Sequence, residues 1–212
     1  MQFSDVLDRL AELPTDLPSA PDALMPVRTD GVTDWRPHVQ LDSLTVRPAS
    51  VLVLLYPDDD GETRVVLTER VDRGGHHSGE VSFPGGSAEP GDADAAATAL
   101  REAAEEVGLD AEAAEVTIIG QLEPFWIPVS NFRVTPILAT AARRPVLLAS
   151  PVEVARIVEP PIAAFLPDGP IEVVERDVRG WPLRYGGYPV DGLHVWGATA
   201  RTLGQLGALL AG

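Results

Sequence analysis

The chain has 212 residues, 45% of them hydrophobic, so it can bury a sizeable core, and a single domain with additions suits that length. Acidic residues outnumber basic ones 32 to 16, every base is arginine, and the net charge of −16 argues against nucleic-acid and membrane partners, whose phosphates it repels. The absence of cysteine excludes disulfides, iron–sulfur clusters, thiolate zinc sites and a cysteine nucleophile.

Taken in chain order, Phe3, Val6, Leu7, Leu10 and Leu13 recur at helical spacing, and Pro14, Pro18, Pro21 and Pro26 then break regularity. Residues 1–47 therefore read as a short helix and an extended Pro-rich arm preceding a main domain over 48–212. The arm's apolar stripe packs on the body or on a second subunit, so a homodimer is one expectation. The N-terminus is acidic where a secretory leader is basic, and the longest aliphatic run, 51–56, is too short to span a bilayer. Together with the missing cysteines, this predicts a cytoplasmic location.

Residues 51–56 and 64–68 are β-like runs separated by Asp-Gly turn chemistry, which predicts an antiparallel pair. A strand at 81–83 leads into Pro84-Gly85-Gly86 and an acidic loop. An Ala-rich helix follows over 95–107, with Asp94 as a candidate N-cap and Gly108 as its stop. Further strands are expected at 116–122, 132–138 and 153–158, then an apolar segment near 162–166 and a closing helix over 198–210. Mixed strands with two main helices indicate an α+β sandwich.

The chemistry concentrates in Arg101-Glu102-Ala103-Ala104-Glu105-Glu106. On a helix Glu102, Glu105 and Glu106 stand at i, i+3 and i+4, so three carboxylates share one face. Such a group takes up protons, recruits a hard cation such as Mg²⁺ or Mn²⁺, or stays an ordinary solvated helix face. Context favours a metal site: Pro84-Gly85-Gly86 lets backbone approach a ligand closely, and the loop delivers Glu89 and Asp92 towards the helix start. Arg101 can orient the carboxylates or grip a phosphate.

Residues Gly86 to Leu109 resemble the Nudix box, G-x5-E-x7-R-E-U-x-E-E-x-G-U, with U a bulky aliphatic residue. Two departures stand out. Ala103 is smaller than the usual aliphatic, and the Gly86 to Arg101 interval is one residue longer than the pattern, which sets Ala93 at the first glutamate with Asp92 and Asp94 beside it.

The lengthened form is similar to the coenzyme A pyrophosphatase branch, through Val66-Leu-Thr-Glu-Arg70, the segment from His77 to Gly86, Thr98-Ala-Leu-Arg-Glu102, Val134-Thr-Pro136 and Trp196-Gly-Ala-Thr-Ala-Arg201. Gly74 and Gly75 stand where that branch carries a bulky apolar residue and an arginine, so ADP-ribose or a dinucleotide such as NADH is the alternative substrate. A non-catalytic module that senses a nucleotide is the alternative to an enzyme.

The resemblance implies an α/β/α sandwich with a mixed sheet, a metal-binding loop-helix-loop and an N-terminal extension. It also implies hydrolysis of a small nucleoside diphosphate-linked molecule, in the branch case coenzyme A or acyl-coenzyme A to 3′,5′-ADP and 4′-phosphopantetheine or its acyl form. Its implied metal ligands are Glu102, Glu105 and Glu106, with Mg²⁺ or Mn²⁺ as cofactor. Glu105 or Glu106 serves as the base towards water, and Arg101 assists. Arg70, His77, Glu80, Gly85 and Gly86 are substrate-contact candidates, and Glu89, Asp92 and Glu153 are supporting ones. For Arg70 the alternative is pairing with the acidic helix, for His77 and Glu153 plain solvent exposure. Trp126 and Trp181 are candidates to stack a base or to fill the core, and Trp196 is assigned to packing.

Overall fold

The computed structural model describes residues 1–31, 46–71, 80–127, 131–178 and 180–212; His77, Gly74 and Gly75 lie outside them. The chain opens with α1 (Phe3–Leu10), a 3-10 turn (Asp22–Leu24) and β1 (Val27–Arg28). Next come β2 (Arg47–Pro57), β3 (Thr63–Val65), β4 (Leu67–Arg70), β5 (Val81–Ser82), β6 (Gly85–Ser87) and α2 (Ala95–Val107). Then follow β7 (Val116–Gln121), β8 (Phe125–Ile127), β9 (Phe132–Ala141), β10 (Val154–Val158) and a 3-10 turn (Ile162–Phe165). The chain finishes with β11 (Glu172–Val178), β12 (Trp181–Val190), β13 (Leu193–Trp196) and α3 (Gly197–Ala211).

A six-stranded mixed sheet forms the middle layer, in the order β3-β2-β9-β7, with β6 also on β2 and β8 also on β9. Strands β2 and β9 run parallel from Arg47↔Phe132 to Leu55↔Thr140, and the other pairs are antiparallel. Alternation along β2 builds two cores. Leu52, Leu54 and Tyr56 face Ala99, Ala103 and Val107 of α2, whereas Val53 and Leu55 join Leu203, Leu206 and Leu210 of α3 with Val6 and Leu10 of α1. Helices therefore cover both faces, and the architecture is an α+β sandwich, as the resemblance implies. Among the described residues no helix is long and apolar enough to cross a membrane.

The expected β-hairpin forms, with Leu55 opposite Val65 and Pro57 opposite Thr63, but its second strand is divided. After Val66 the chain leaves β2, and β4 pairs instead with β5 and β10 in a separate antiparallel sheet. Residues 162–165 form a 3-10 turn that buries Ile162 and Phe165. A third sheet of β1, β12, β11 and β13 was not expected from sequence. Strand β11 is largely exposed and carries Glu172, Glu175, Arg176 and Asp177, and β12 holds two prolines and two glycines, so neither shows the usual strand alternation. Trp196 stacks on Tyr185 with ring centroids 4.6 Å apart, a packing contact within this third sheet.

The N-terminal arm is tied to the body. Val6, Leu10 and Leu24 are buried in the same core as α3, and β1 pairs with β12. Leu10 is 2% exposed and Leu7 42%. Replacing Leu10 with Ala is therefore expected to lower unfolding stability by about 2–5 kcal/mol, and Leu7→Ala by about 0.5 kcal/mol or less, as measured by urea denaturation.

Candidate active site

Two glycines position the site. A Cβ on Gly85 would come within 2.4 Å of the Ser50 carbonyl, so only glycine lets β6 lie against β2 at this point. On Gly86 a Cβ would fall 2.6 Å from the Glu102 carboxylate. That close approach seats α2 on the glycine turn. At its start the helix is capped by Asp94, which accepts the Ala97 N–H at 2.8 Å, and it stops where Gly108 takes a left-handed φ of 65°.

Glu106 is the most deeply placed of the carboxylates. It is 3% exposed and accepts the Gly85 N–H at 3.1 Å, and Arg70, projecting from β4, stands 3.8 Å away. Burial pushes its carboxyl up from 4.5 to about 7; the Gly85 N–H and Arg70 oppose this, and Glu102 and Glu153 add to it. Burial also raises Glu102, with repulsion from Glu105 and Glu153 adding to it and Arg101 opposing. Glu102, Glu106 and Glu153 thus form a mutually repelling set at the glycine turn. The backbone places Glu153 there, since its carbonyl accepts the Val71 N–H just after Arg70.

Arg101 is enclosed by protein acceptors. It donates to Asp92, to the Ser87 carbonyl at 2.8 Å, to Glu102 at 3.0 Å and to Glu105 at 3.3 Å. Of its two suggested roles, orientation of carboxylates is the one this network supplies. Asp92, bonded by Arg101, Thr98 and the Glu89 N–H, is held well below the usual carboxylate range by Arg101. It is a brace for the loop, and the exposed Glu89 contributes its backbone to the same brace.

Glu105 does not join Glu106. Its side chain is 58% exposed and lies along Arg101, so the three glutamates of the motif divide into an inner residue, Glu106, a half-buried one, Glu102, and an outer one, Glu105. Among the described residues no three acidic or histidine side chains form a group that could hold a metal ion in this arrangement. Glu80 lies at the entry to β5, where its carbonyl accepts the Arg70 N–H. Trp126 donates to Asn131, and Trp181 lies under the Arg28 guanidinium, so neither ring is clear of the protein's own contacts.

Comparison with known proteins identifies the class. The NUDIX domain model matches residues 46–156. The chain is 36% identical over 168 residues to Nudix hydrolase 15, mitochondrial, of Arabidopsis thaliana, across 76% of this chain and 58% of that protein. It thus spans little more than half the length of that curated relative. To the uncharacterized Nudix hydrolase NudL of Salmonella heidelberg (strain SL476) it is 36% identical over 176 residues, 81% of this chain and 86% of that one. Among solved structures, a Nudix hydrolase from M. Smegmatis, RenU, matches with a TM-score of 0.47 and 22% identity over 56% of this chain and 73% of that chain. The chain belongs to the Nudix family.

Nudix enzymes generally use a divalent metal such as Mg²⁺ or Mn²⁺, and the donor chemistry here fits one. Glu102 and Glu106 supply hard carboxylate oxygens whose proton affinity burial and the repulsion of Glu153 raise, a setting that a cation would relieve, but their side chains do not converge into a ready-made ligand set.

The buried Glu106 also carries a pH signature. A folded-state value above the unfolded one stabilises at low pH, and that contribution is lost as pH rises through about 7. Metal-free protein should therefore lose on the order of 3 kcal/mol between pH 5 and 8, reckoned from the shift of 4.5 to about 7. Thermal melts across that range should show the loss, and Glu106→Gln should abolish most of it.

Proposed function

We propose that the protein is a metal-dependent Nudix diphosphatase that hydrolyses a small nucleoside diphosphate-linked substrate, with coenzyme A or acyl-coenzyme A as the favoured substrate. The observation that carries the reading is Glu106. A carboxylate 3% exposed, with one amide donor and a guanidinium 3.8 Å away, is poorly compensated as a structural group. It is well suited to meet a cation and a proton. Its neighbours Glu102 and Glu153 supply the further oxygens, and Glu105 would join them only by turning away from Arg101.

The coenzyme A assignment rests on sequence, through the segments around Arg70, Gly86, Pro136 and Trp196 that resemble the coenzyme A pyrophosphatase branch.

When bound, Mg²⁺ or Mn²⁺ neutralises charge on the non-bridging oxygens of a diphosphate and lowers the pKa of a coordinated water. Glu102, Glu105 and Glu106 are the residues that would hold it, with Glu153 in support. Glu106, whose proton affinity burial raises, can take the proton of the attacking water. Arg70, 40% exposed beside Glu106, is free to turn towards a phosphate oxygen. Arg101 acts at one remove: it fixes Glu102 and Glu105 through hydrogen bonds and is itself locked by Asp92 and Ser87. The peptide N–H of Gly85 serves Glu106, and Gly86 leaves room for the Glu102 carboxylate, which accounts for both glycines as backbone contributors.

The reading is tested with purified protein on coenzyme A, acetyl-coenzyme A, ADP-ribose and NADH, with product identification. Expected are Mn²⁺- or Mg²⁺-dependent cleavage of the coenzyme A compounds at the diphosphate and loss of activity with a chelator. Preference for ADP-ribose or NADH would move the substrate class, and no turnover on any of them would indicate a nucleotide-binding module. Glu105→Gln and Glu106→Gln should each lower kcat at least a hundredfold without lowering the metal-free thermal midpoint at pH 8, since both side chains serve the cation more than the core.

A further inference from the structure

The last carbonyls of an α-helix have no partner within it, and the final turn of α2 is the one that carries Glu106. Two of these carbonyls are met by amides from beyond β9. The Leu148 N–H donates to the Val107 carbonyl at 2.8 Å, and the Ser150 N–H donates to the Glu106 carbonyl at 2.8 Å. As the chain advances from 148 to 150 it therefore runs back along α2 towards the glutamates. Its grip is through the backbone, for the Leu148 side chain is 78% exposed. At the base of the same loop Arg144 pairs with Glu159, which also accepts the Tyr56 hydroxyl.

Beyond Ser150 the chain turns at once. The Ser150 carbonyl accepts the N–H of Glu153 at 3.0 Å and that of Val154 at 2.8 Å, and Pro151 occupies the second position of the turn, where a fixed φ is favoured. The Glu153 carbonyl accepts the Val71 N–H at 3.0 Å, Val71 follows Arg70, and the Arg70 guanidinium stands 3.8 Å from the Glu106 carboxylate. The contacts close on themselves, from Glu106 through Ser150, Glu153, Val71 and Arg70 back to Glu106.

This circuit acts against electrostatics. Glu153 raises the proton affinity of both Glu106 and Glu102, so the carboxylates brought together here repel one another. A helix end needs no such arrangement for its own sake: water can satisfy its carbonyls, and Gly108 already returns its N–H to the Ala104 carbonyl. What a distant donor on the Glu106 carbonyl adds is a fixed relation between Glu106 and a carboxylate from another sheet.

We propose that the peptide N–H of Ser150 is a positioning group for the cation site. By holding the Glu106 carbonyl to the turn that leads into Glu153, it keeps two mutually repelling carboxylates where one divalent cation can meet both. The Ser150 hydroxyl has no part in this. The inference deepens the diphosphatase reading and rests on it for the use of that cation.

The test compares two amides by calorimetric titration of metal-free protein with Mn²⁺. Ser150→Pro removes the donor to Glu106, and Leu148→Pro removes the matched donor to Val107. Ser150→Pro should weaken Mn²⁺ binding about tenfold or more, whereas Ser150→Ala, which keeps the amide, should stay within about twofold of wild type. Leu148→Pro should lower the thermal midpoint about as much as Ser150→Pro yet weaken Mn²⁺ binding no more than about threefold. In a Glu153→Gln background the effect of Ser150→Pro on Mn²⁺ should shrink to within about twofold, because the group it positions is gone. At saturating Mn²⁺, Ser150→Pro should lower kcat about thirtyfold and leave KM within about threefold. Should Ser150→Pro not fold, Pro151→Gly loosens the turn while keeping its donors, and should weaken Mn²⁺ binding about threefold with Glu153 present and not in the Glu153→Gln background. Equal loss of Mn²⁺ affinity in the two proline variants, a loss undiminished without Glu153 in either turn variant, or no Mn²⁺ binding by wild type overturns the assignment. Wild type that binds Mn²⁺ yet cleaves no diphosphate defeats the parent reading alone, since the Mn²⁺ comparison is made without substrate.

Discussion

The site depends on the close approach of a glycine turn to the flank of a helix. Gly85 must lie against Ser50 and Val51 for β6 to join the sheet, and Gly86 must leave room for the Glu102 carboxylate. Given both, the later turns of α2 are drawn down onto the glycine turn, and Glu106 is carried into a position with almost no solvent. The peptide N–H of Gly85 and the guanidinium of Arg70 meet it there but do not fully offset its desolvation, as its raised proton affinity records. A conventional core would place an apolar side chain at this position. A carboxylate there is unfavourable to stability, and groups of perturbed pKa of this kind cluster at functional sites.

Around that buried acid the remaining charges are arranged in shells of decreasing burial. Glu102 is intermediate and Glu105 outermost, and Arg101 links both to Asp92 and to the Ser87 carbonyl. This is why an arginine inside an acidic motif need not touch a substrate to matter. Its donors are engaged by the loop, the helix and β6 together, so it sets the mutual position of those three segments. Asp92 belongs to the same brace, and its ionised form is secured by Arg101. The extra residue between Gly86 and Arg101 is absorbed in this loop, where Asp92 reaches Arg101 and Asp94 is free to cap α2.

The division of β3 from β4 has an equally direct consequence. Had residues 63–70 continued along β2 as one strand, the register of Leu55 with Val65 would have set Arg70 opposite Ser50, the place that Gly86 occupies. The break at Val66, whose side chain joins the α2-side core while Val65 and Leu67 join the other, transfers β4 to the sheet shared with β5 and β10. That transfer brings Arg70 to Glu106, and the pairing of Val154 with Arg70 brings Glu153 to the same place. Residues at least 36 positions apart thus meet through one irregularity in a strand.

What the residues announce by themselves is what short-range physics controls. The α2 boundaries, Asp94 as cap, Gly108 as stop and the hairpin pairing of β2 with β3 all follow from side chains within a few positions of one another. The grouping of Glu102, Glu105 and Glu106 on one helix face belongs to the same class, since helical periodicity alone enforces it. The tertiary structure decided which of those carboxylates is buried, that Arg101 is consumed by the protein, and that the polar β11 and the proline-containing β12 form a sheet. Burial and pairing depend on neighbours supplied by distant segments, and desolvation, unlike helical periodicity, exists only once those segments have closed around the group.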